Sequence, residues 1–117
     1  MKQSGLIALA AFPHVDASEV KLRPVLLIRP ASQRFDDWLV RMVSSRLHQA
    51  DAEWDELILP AHADFFDSGL KAPSVFRLSR LAVMDGKLLT GSIGHIDANR
   101  LRTIKQRLGQ WIAEDAV

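Results

Sequence analysis

The chain contains no cysteine, which excludes disulfides, thiolate nucleophiles and cysteine-ligated zinc. No apolar run approaches the roughly 20 residues that span a bilayer. The opening Met1-Lys2-Gln3-Ser4 leads into residues 6–12 without a small-residue cleavage site, so a cytosolic protein is expected. The four histidines, His14, His48, His62 and His95, stand at no helical ligand spacing; no metal and no cofactor are expected. A formal net charge of only +1 excludes a globally basic nucleic-acid coat but leaves room for a local basic cleft. P-loop, GxGxxG and Ser-His-Asp patterns are absent, as is any internal repeat.

What is present fits one domain spanning residues 1–117. Of its residues, 48% are hydrophobic and 25% charged, the balance of a globular fold with a sizeable core. Gly5-Leu6-Ile7-Ala8-Leu9-Ala10-Ala11-Phe12, closed by Pro13, reads as a first core strand. A polar loop follows with His14, Asp16, Ser18 and Glu19, either a place for catalytic groups between two rigid strands or a solvated connection. Arg23-Pro24 then predicts the start of a second strand, because proline lacks the ladder N–H and biases its predecessor toward extended geometry. Val25-Leu26-Leu27-Ile28 suits a strand covered on both faces. Held at such a strand mouth, the planar guanidinium of Arg23 is suited to grip two phosphate oxygens; the alternative is an ordinary surface cation.

Residues 29–37 read as a loop with room for one helical turn, and residues 38–43 as the next strand. Ser44-Ser45-Arg46 at its exit either donates to an anion or closes a turn. A short strand is expected within residues 55–60. Residues 47–70 hold no Lys or Arg but include Asp51, Glu53, Asp55, Glu56, Asp64 and Asp67, so this stretch should face away from a phosphate backbone. Residues 74–83 form a further strand, in which Arg77 needs a partner or an opening. Met84-Asp85-Gly86-Lys87 has hairpin-type turn chemistry, leading to a last strand at 88–96 loosened by Gly91 and Gly94. Asp97 is an N-cap for a helix reaching about Ala113, with Leu101, Ile104, Leu108, Trp111 and Ile112 on one side. Arg100, Arg102, Lys105 and Arg107 decorate that helix without an acid, as a solvated basic face or as an RNA contact.

Gly5-Leu6-Ile7 with Phe12-Pro13, then Lys21-Leu22-Arg23-Pro24-Val25-Leu26-Leu27-Ile28, Val43-Ser44-Ser45, and Gly69-Leu70-Lys71-Ala72-Pro73-Ser74-Val75-Phe76-Arg77 together resemble the MazF/PemK/Kid toxin family over nearly the whole chain. The resemblance implies an α+β, mostly β fold: a small antiparallel SH3-like barrel, similar also to CcdB, with a C-terminal helix. It implies a homodimeric, metal-independent endoribonuclease that cuts single-stranded RNA through its 2′-OH and is neutralised by a cognate antitoxin. Arg23 takes the place of the family's catalytic arginine, Ser44 that of a common threonine, and Arg77 that of a second arginine. The family's acid after the first glycine is Leu6 here, its aspartate after the second arginine is Ser79, and the loop acid is displaced, with Ser18 five residues before Arg23 and Glu19 next to it. Glu19 is therefore the first candidate for the general base, with His14 and Asp16 behind it, and RNA contacts fall to His14, Lys21, Ser45 and Arg46. A CcdB-like gyrase poison, echoed by Trp111-Ile112 near the C-terminus, or a family member retaining only partner binding are the alternative readings.

Overall fold

Val25, Leu26, Leu27 and Ile28 are each no more than 1% exposed, which four successive strand residues achieve only when both faces of the sheet are covered. The computed structural model describes residues 2–13 and 20–114. Its strands are β1 (Leu6–Pro13), β2 (Val20–Pro30), β3 (Asp37–Ser44), β4 (Glu56–Ile58), β5 (Ser74–Asp85) and β6 (Leu89–His95), followed by one helix, α1 (Ala98–Ala113). They form a single antiparallel sheet in the order β4-β5-β3-β2-β1-β6. The ladder is open, with β4 and β6 at its edges, and register shifts in β1/β6, β2/β3 and β3/β5 bend it. This is the expected mostly-β architecture with a terminal helix.

Alternation along β2 divides the core in two. Leu26 and Ile28 join Ile7, Ile58, Phe76, Leu78, Ile104 and Leu108 under α1, while Val25 and Leu27 join Ala8, Ala10, Trp38, Val40 and Met84 on the opposite face. Each such side chain contributes about 1.5–3 kcal/mol on burial.

Three local expectations change. Arg23-Pro24 lies within β2, paired with Ala10 and Leu9 of β1, instead of opening the strand. β3 joins β2 only from Val25 onward, so Pro24 sits in a two-stranded stretch where a missing N–H is tolerated. Residues 31–36 contain no helical turn; the Ser32 hydroxyl accepts from the backbone N–H groups of Arg34 and Phe35, an N-cap-type bond that no helix follows because β3 begins at Asp37. Asp85-Gly86 does not make a hairpin, because β6 pairs with β1 at the far edge. The Asp85 carboxylate accepts from the Lys87 N–H and starts a single 3-10 turn, Gly86–Leu88. The chain there passes so close to Asp36 that a Cβ at position 86 would displace its carboxylate.

Arg41 went unnoticed in the sequence beside Arg77, yet it is the fully buried cation, on the face of β3 shared with Leu39 and Val43. None of its three guanidinium nitrogens has a hydrogen-bond partner among the described residues. Burial pushes its pKa down to about 10, against the opposing pull of the Asp55 and Glu56 carboxylates. Both carboxylates have other donors: Asp55 accepts from the backbone of Asp51 and Leu78, Glu56 from Arg100 and Arg107. Removing the Arg41 charge therefore strands no acid, and Arg41→Met should leave stability unchanged or raise it by up to about 1–4 kcal/mol, as for other buried ions replaced by apolar groups. Urea denaturation of the two proteins checks this; a marked loss of stability would mean that Asp55 and Glu56 depend on the Arg41 charge.

Candidate active site

Strand register, rather than proximity in sequence, assembles the candidate residues. The last β2/β3 pair is Val25 with Met42, and continuing that antiparallel register by two residues sets Arg23 across from Ser44. On the other side of β3, Ser44 pairs with Val75 and Val43 with Phe76, so Arg77 follows directly on the next strand. Alternation also puts the three on one face. Arg23 shares the face of Val25 and Leu27, Ser44 that of Val40 and Met42, and Arg77 lies between Phe76 and Leu78, which both point into the other cluster. The positions of Arg23, Ser44 and Arg77 thus fall on the face away from α1, on the neighbouring strands β2, β3 and β5.

The individual groups differ in freedom. Arg23 and Lys21 are exposed. The Ser44 hydroxyl accepts from the Arg46 N–H at 3.1 Å, closing the strand exit while keeping its own proton to donate. Ser45 and Arg46 are exposed on that turn. Arg77 is half-buried; its Nη1 donates to Gln49 Oε1 at 3.1 Å, and its Nε is buried without a partner among the described residues. His14, Asp16, Ser18 and Glu19 lie outside the described residues. Gln49 is the neighbour that sequence reasoning missed, since a lone glutamine in a short polar turn carries no signal of what it meets 28 residues later.

The opposite face is acidic and anchored from within. A cleft of about 990 Å³ opens between β4, the segment before β5 and the start of α1. Asp64 receives Arg100 in a two-pronged grip, Nε to Oδ2 at 2.7 Å and Nη2 to Oδ1 at 2.9 Å. Arg100 Nη1 also donates to the Leu57 carbonyl at 2.6 Å and contacts Glu56 at 3.3 Å. Two turns along the helix, Arg107 Nη1 donates to the Asp55 carbonyl and to Glu56, both at 2.9 Å. The helix cations expected to be solvated are therefore divided: Arg100 and Arg107 turn inward onto the acidic segment, and Arg102 and Lys105 stay exposed. Asp97 caps the helix as expected, accepting from the Asn99 N–H at 2.9 Å. Among the described residues no three acidic or histidine side chains converge as metal ligands.

The family model for the PemK-like, MazF-like toxin of type II toxin-antitoxin systems matches residues 3–112. The chain belongs to that family. Members of it are endoribonucleases. Solved structures agree in fold. MazE-MazF (Form-II) from Deinococcus radiodurans superposes with a TM-score of 0.73 at 19% identity, covering 97% of each chain. Toxin MazF-mt6 of Mycobacterium tuberculosis gives 0.62 at 18%, covering 95% of this chain and 99% of its own. An endoribonuclease in complex with its cognate antitoxin from mycobacterial species gives 0.70 at 11%, covering all of both. No curated protein matches the sequence.

Within the toxin, the two strand positions where family acids were expected hold no substitute. Leu6 packs against the Ala8, Ala10 and Leu27 cluster, and Ser79 is exposed on the irregular stretch of β5 between Phe76 and Leu81. Asp64 sits on the far face, where the Arg100 hydrogen bonds hold its carboxyl below the usual aspartate range despite burial. A folded pKa below the unfolded one contributes stability that is complete above the ordinary aspartate value of about 3.9 and is lost as pH falls through the depressed one. Denaturation from pH 7 to pH 2 should therefore show the toxin losing more stability below about pH 4 than Asp64→Asn does; parallel curves would show that the Asp64–Arg100 pair does not stabilise the fold.

Proposed function

We propose that the chain cleaves single-stranded RNA without a metal ion, using the substrate's own 2′-OH as nucleophile, at the site formed by Arg23, Ser44 and Arg77. The observation that supports this reading is that the three positions lie on the same sheet face, on the neighbouring strands β2, β3 and β5. Proton transfer and developing charge set the requirements. The 2′-oxygen forms a bond to the adjacent phosphorus as its proton passes to a base, the P–O5′ bond breaks, and the 5′-oxygen takes a proton. The products are a 2′,3′-cyclic phosphate, which can open to a 3′-phosphate, and a 5′-hydroxyl. DNA lacks the nucleophile and is not a substrate.

Arg23 and Ser44 donate to the non-bridging oxygens as negative charge accumulates, the preorganised stabilisation that matters most in such reactions. Arg77 serves the leaving side, as a donor to the departing 5′-oxygen. Glu19 is the proposed base, with His14 and Asp16 behind it. Lys21, Ser45, Arg46 and His14 extend the RNA contact. Arg100 and Arg107 take no part, being engaged in internal ion pairs. A cognate antitoxin neutralises the protein, by analogy with the antitoxin complexes of the structural neighbours, and the working form is a homodimer in the cytoplasm. No helix among the described residues is long and apolar enough to cross a membrane.

Purified protein should cut single-stranded RNA in excess EDTA and leave a cyclic or 3′-phosphate. Loss of cutting on chelation with recovery on Mg²⁺ would reject the mechanism, and gyrase-dependent DNA breakage without RNA cleavage would favour a CcdB-like poison. The decisive variant is Arg23→Ala. It should slow single-turnover cleavage by about 100-fold or more, the scale of one lost oxyanion donor, while stability changes by only about 0.5 kcal/mol, as for other exposed positions. Arg23→Lys should recover little, since a point charge cannot reproduce a two-pronged grip. A folded Arg23→Ala protein cutting at the wild-type rate would remove Arg23 from the mechanism.

A further inference from the structure

We propose that Gln49 is a positioning residue for Arg77, and that the buried carboxylate of Asp55 fixes the distance between them. The inference rests on the RNA-cleavage reading and adds to it the device that aims the second arginine.

The connections run through three segments distant in sequence. Gln49 ends the single 3-10 turn Leu47–Gln49 that follows the Ser44-Ser45-Arg46 exit of β3, and its N–H donates to the Arg46 carbonyl at 3.1 Å. Its side-chain oxygen accepts from Arg77 Nη1 at 3.1 Å. The amide orientation is dictated by chemistry, because a guanidinium has five donors and no acceptor and only the oxygen of glutamine can face it. With Nε of Arg77 buried and unpaired among the described residues, Gln49 is the side chain that determines where this guanidinium points.

Asp55 supports both ends of that contact. It is 7% exposed. Its Oδ1 accepts at 2.8 Å from the N–H of Leu78, the residue after Arg77. Its Oδ2 accepts at 2.9 Å from the N–H of Asp51, two residues after Gln49. One rigid carboxylate thereby ties the backbone beside the donor to the backbone beside the acceptor. The Asp55 carbonyl is in turn held by Arg107 at 2.9 Å, so the frame continues into α1.

A neutral amide is the appropriate partner for this task. A carboxylate in its place would hold Arg77 at least as firmly but would cancel much of the charge that a phosphate needs to meet. Glutamine orients the guanidinium and leaves its charge intact.

The test is a double-mutant cycle on the full chain, read by single-turnover cleavage of a short single-stranded RNA together with thermal melts. Gln49→Ala should lower the maximal single-turnover rate by about tenfold, within the range that small misplacements of a catalytic group produce, with the half-saturating protein concentration little changed and the melting temperature retained. In an Arg77→Lys background the same substitution should have no further effect, because the guanidinium that it orients is gone. Gln49→Glu should also lose rate although it keeps a hydrogen bond. Equal losses from Gln49→Ala in both backgrounds, or a wild-type rate in Gln49→Glu, would overturn the assignment while leaving the cleavage reading intact. A wild-type protein that cuts no RNA would overturn the cleavage reading, and the Gln49 role with it.

Discussion

The complete burial of residues 25–28 is the constraint on which the arrangement depends. A strand with both faces inside cannot lie at an edge, so β2 is flanked by β1 and β3 and the remaining strands are added outward from that centre. A slip of one residue in β2 would exchange the members of the two apolar clusters, moving Leu26 and Ile28 from beneath α1 to the other side. The register is thus set by the core, and the core sets the face on which Arg23 emerges two residues before Val25. The position of the functional arginine follows from packing, although the arginine itself contributes little to it.

Charge is arranged on the same principle. The chain is almost neutral, yet residues 47–70 carry no Lys or Arg and the helix carries no acid until Glu114. The fold brings the two against each other, with Arg100 and Arg107 donating to the carbonyls of Leu57 and Asp55, two residues apart along the β4 edge. An edge strand otherwise presents unpaired backbone groups to other chains. Here helix arginines occupy part of it while their charges are balanced by Glu56 and Asp64. Among the described residues Arg23, Arg46 and Arg77 have no such acidic partner, so a near-neutral molecule leaves these cations free to form a local basic site.

Features legible in the sequence were those fixed by local chemistry or by continuous patterning: the apolar run of β2, the Asp97 cap, the strand exit at Ser44, and the order of strands along the chain. What escaped depends on pairings between distant segments. Asp85-Gly86 has the composition of a tight hairpin, but β6 is claimed by β1, and no local signal competes with that long-range ladder. Arg100 and Arg107 read as solvated because periodicity shows which helix face carries cations and not what lies opposite. Arg41 was hidden in plain alternation, sharing a face with Leu39 and Val43; its burial depends on distant neighbours on that face, with Asp55, Glu56 and Arg107 of α1 near it. The three proposed donors could be named from their resemblance to family positions, whereas Gln49 and Asp55 became visible only through contacts spanning 28 and 23 residues.

The distribution of these groups also bears on which part of the proposed chemistry is built into the sheet. Donors that must meet developing charge at fixed positions gain from rigid mounting, since any reorganisation during the reaction subtracts from their effect. Arg23, Ser44 and Arg77 all lie on strands or at a strand end, and Asp55 stiffens the third of them. The positions on β1 and β5 where an acid was expected, Leu6 and Ser79, are instead an apolar side chain packed on the second cluster and an exposed hydroxyl. Neither accepts a proton at neutral pH. Under the proposed mechanism the charge-stabilising donors are on the sheet, whereas the proposed base, Glu19, belongs to the sequence between β1 and β2.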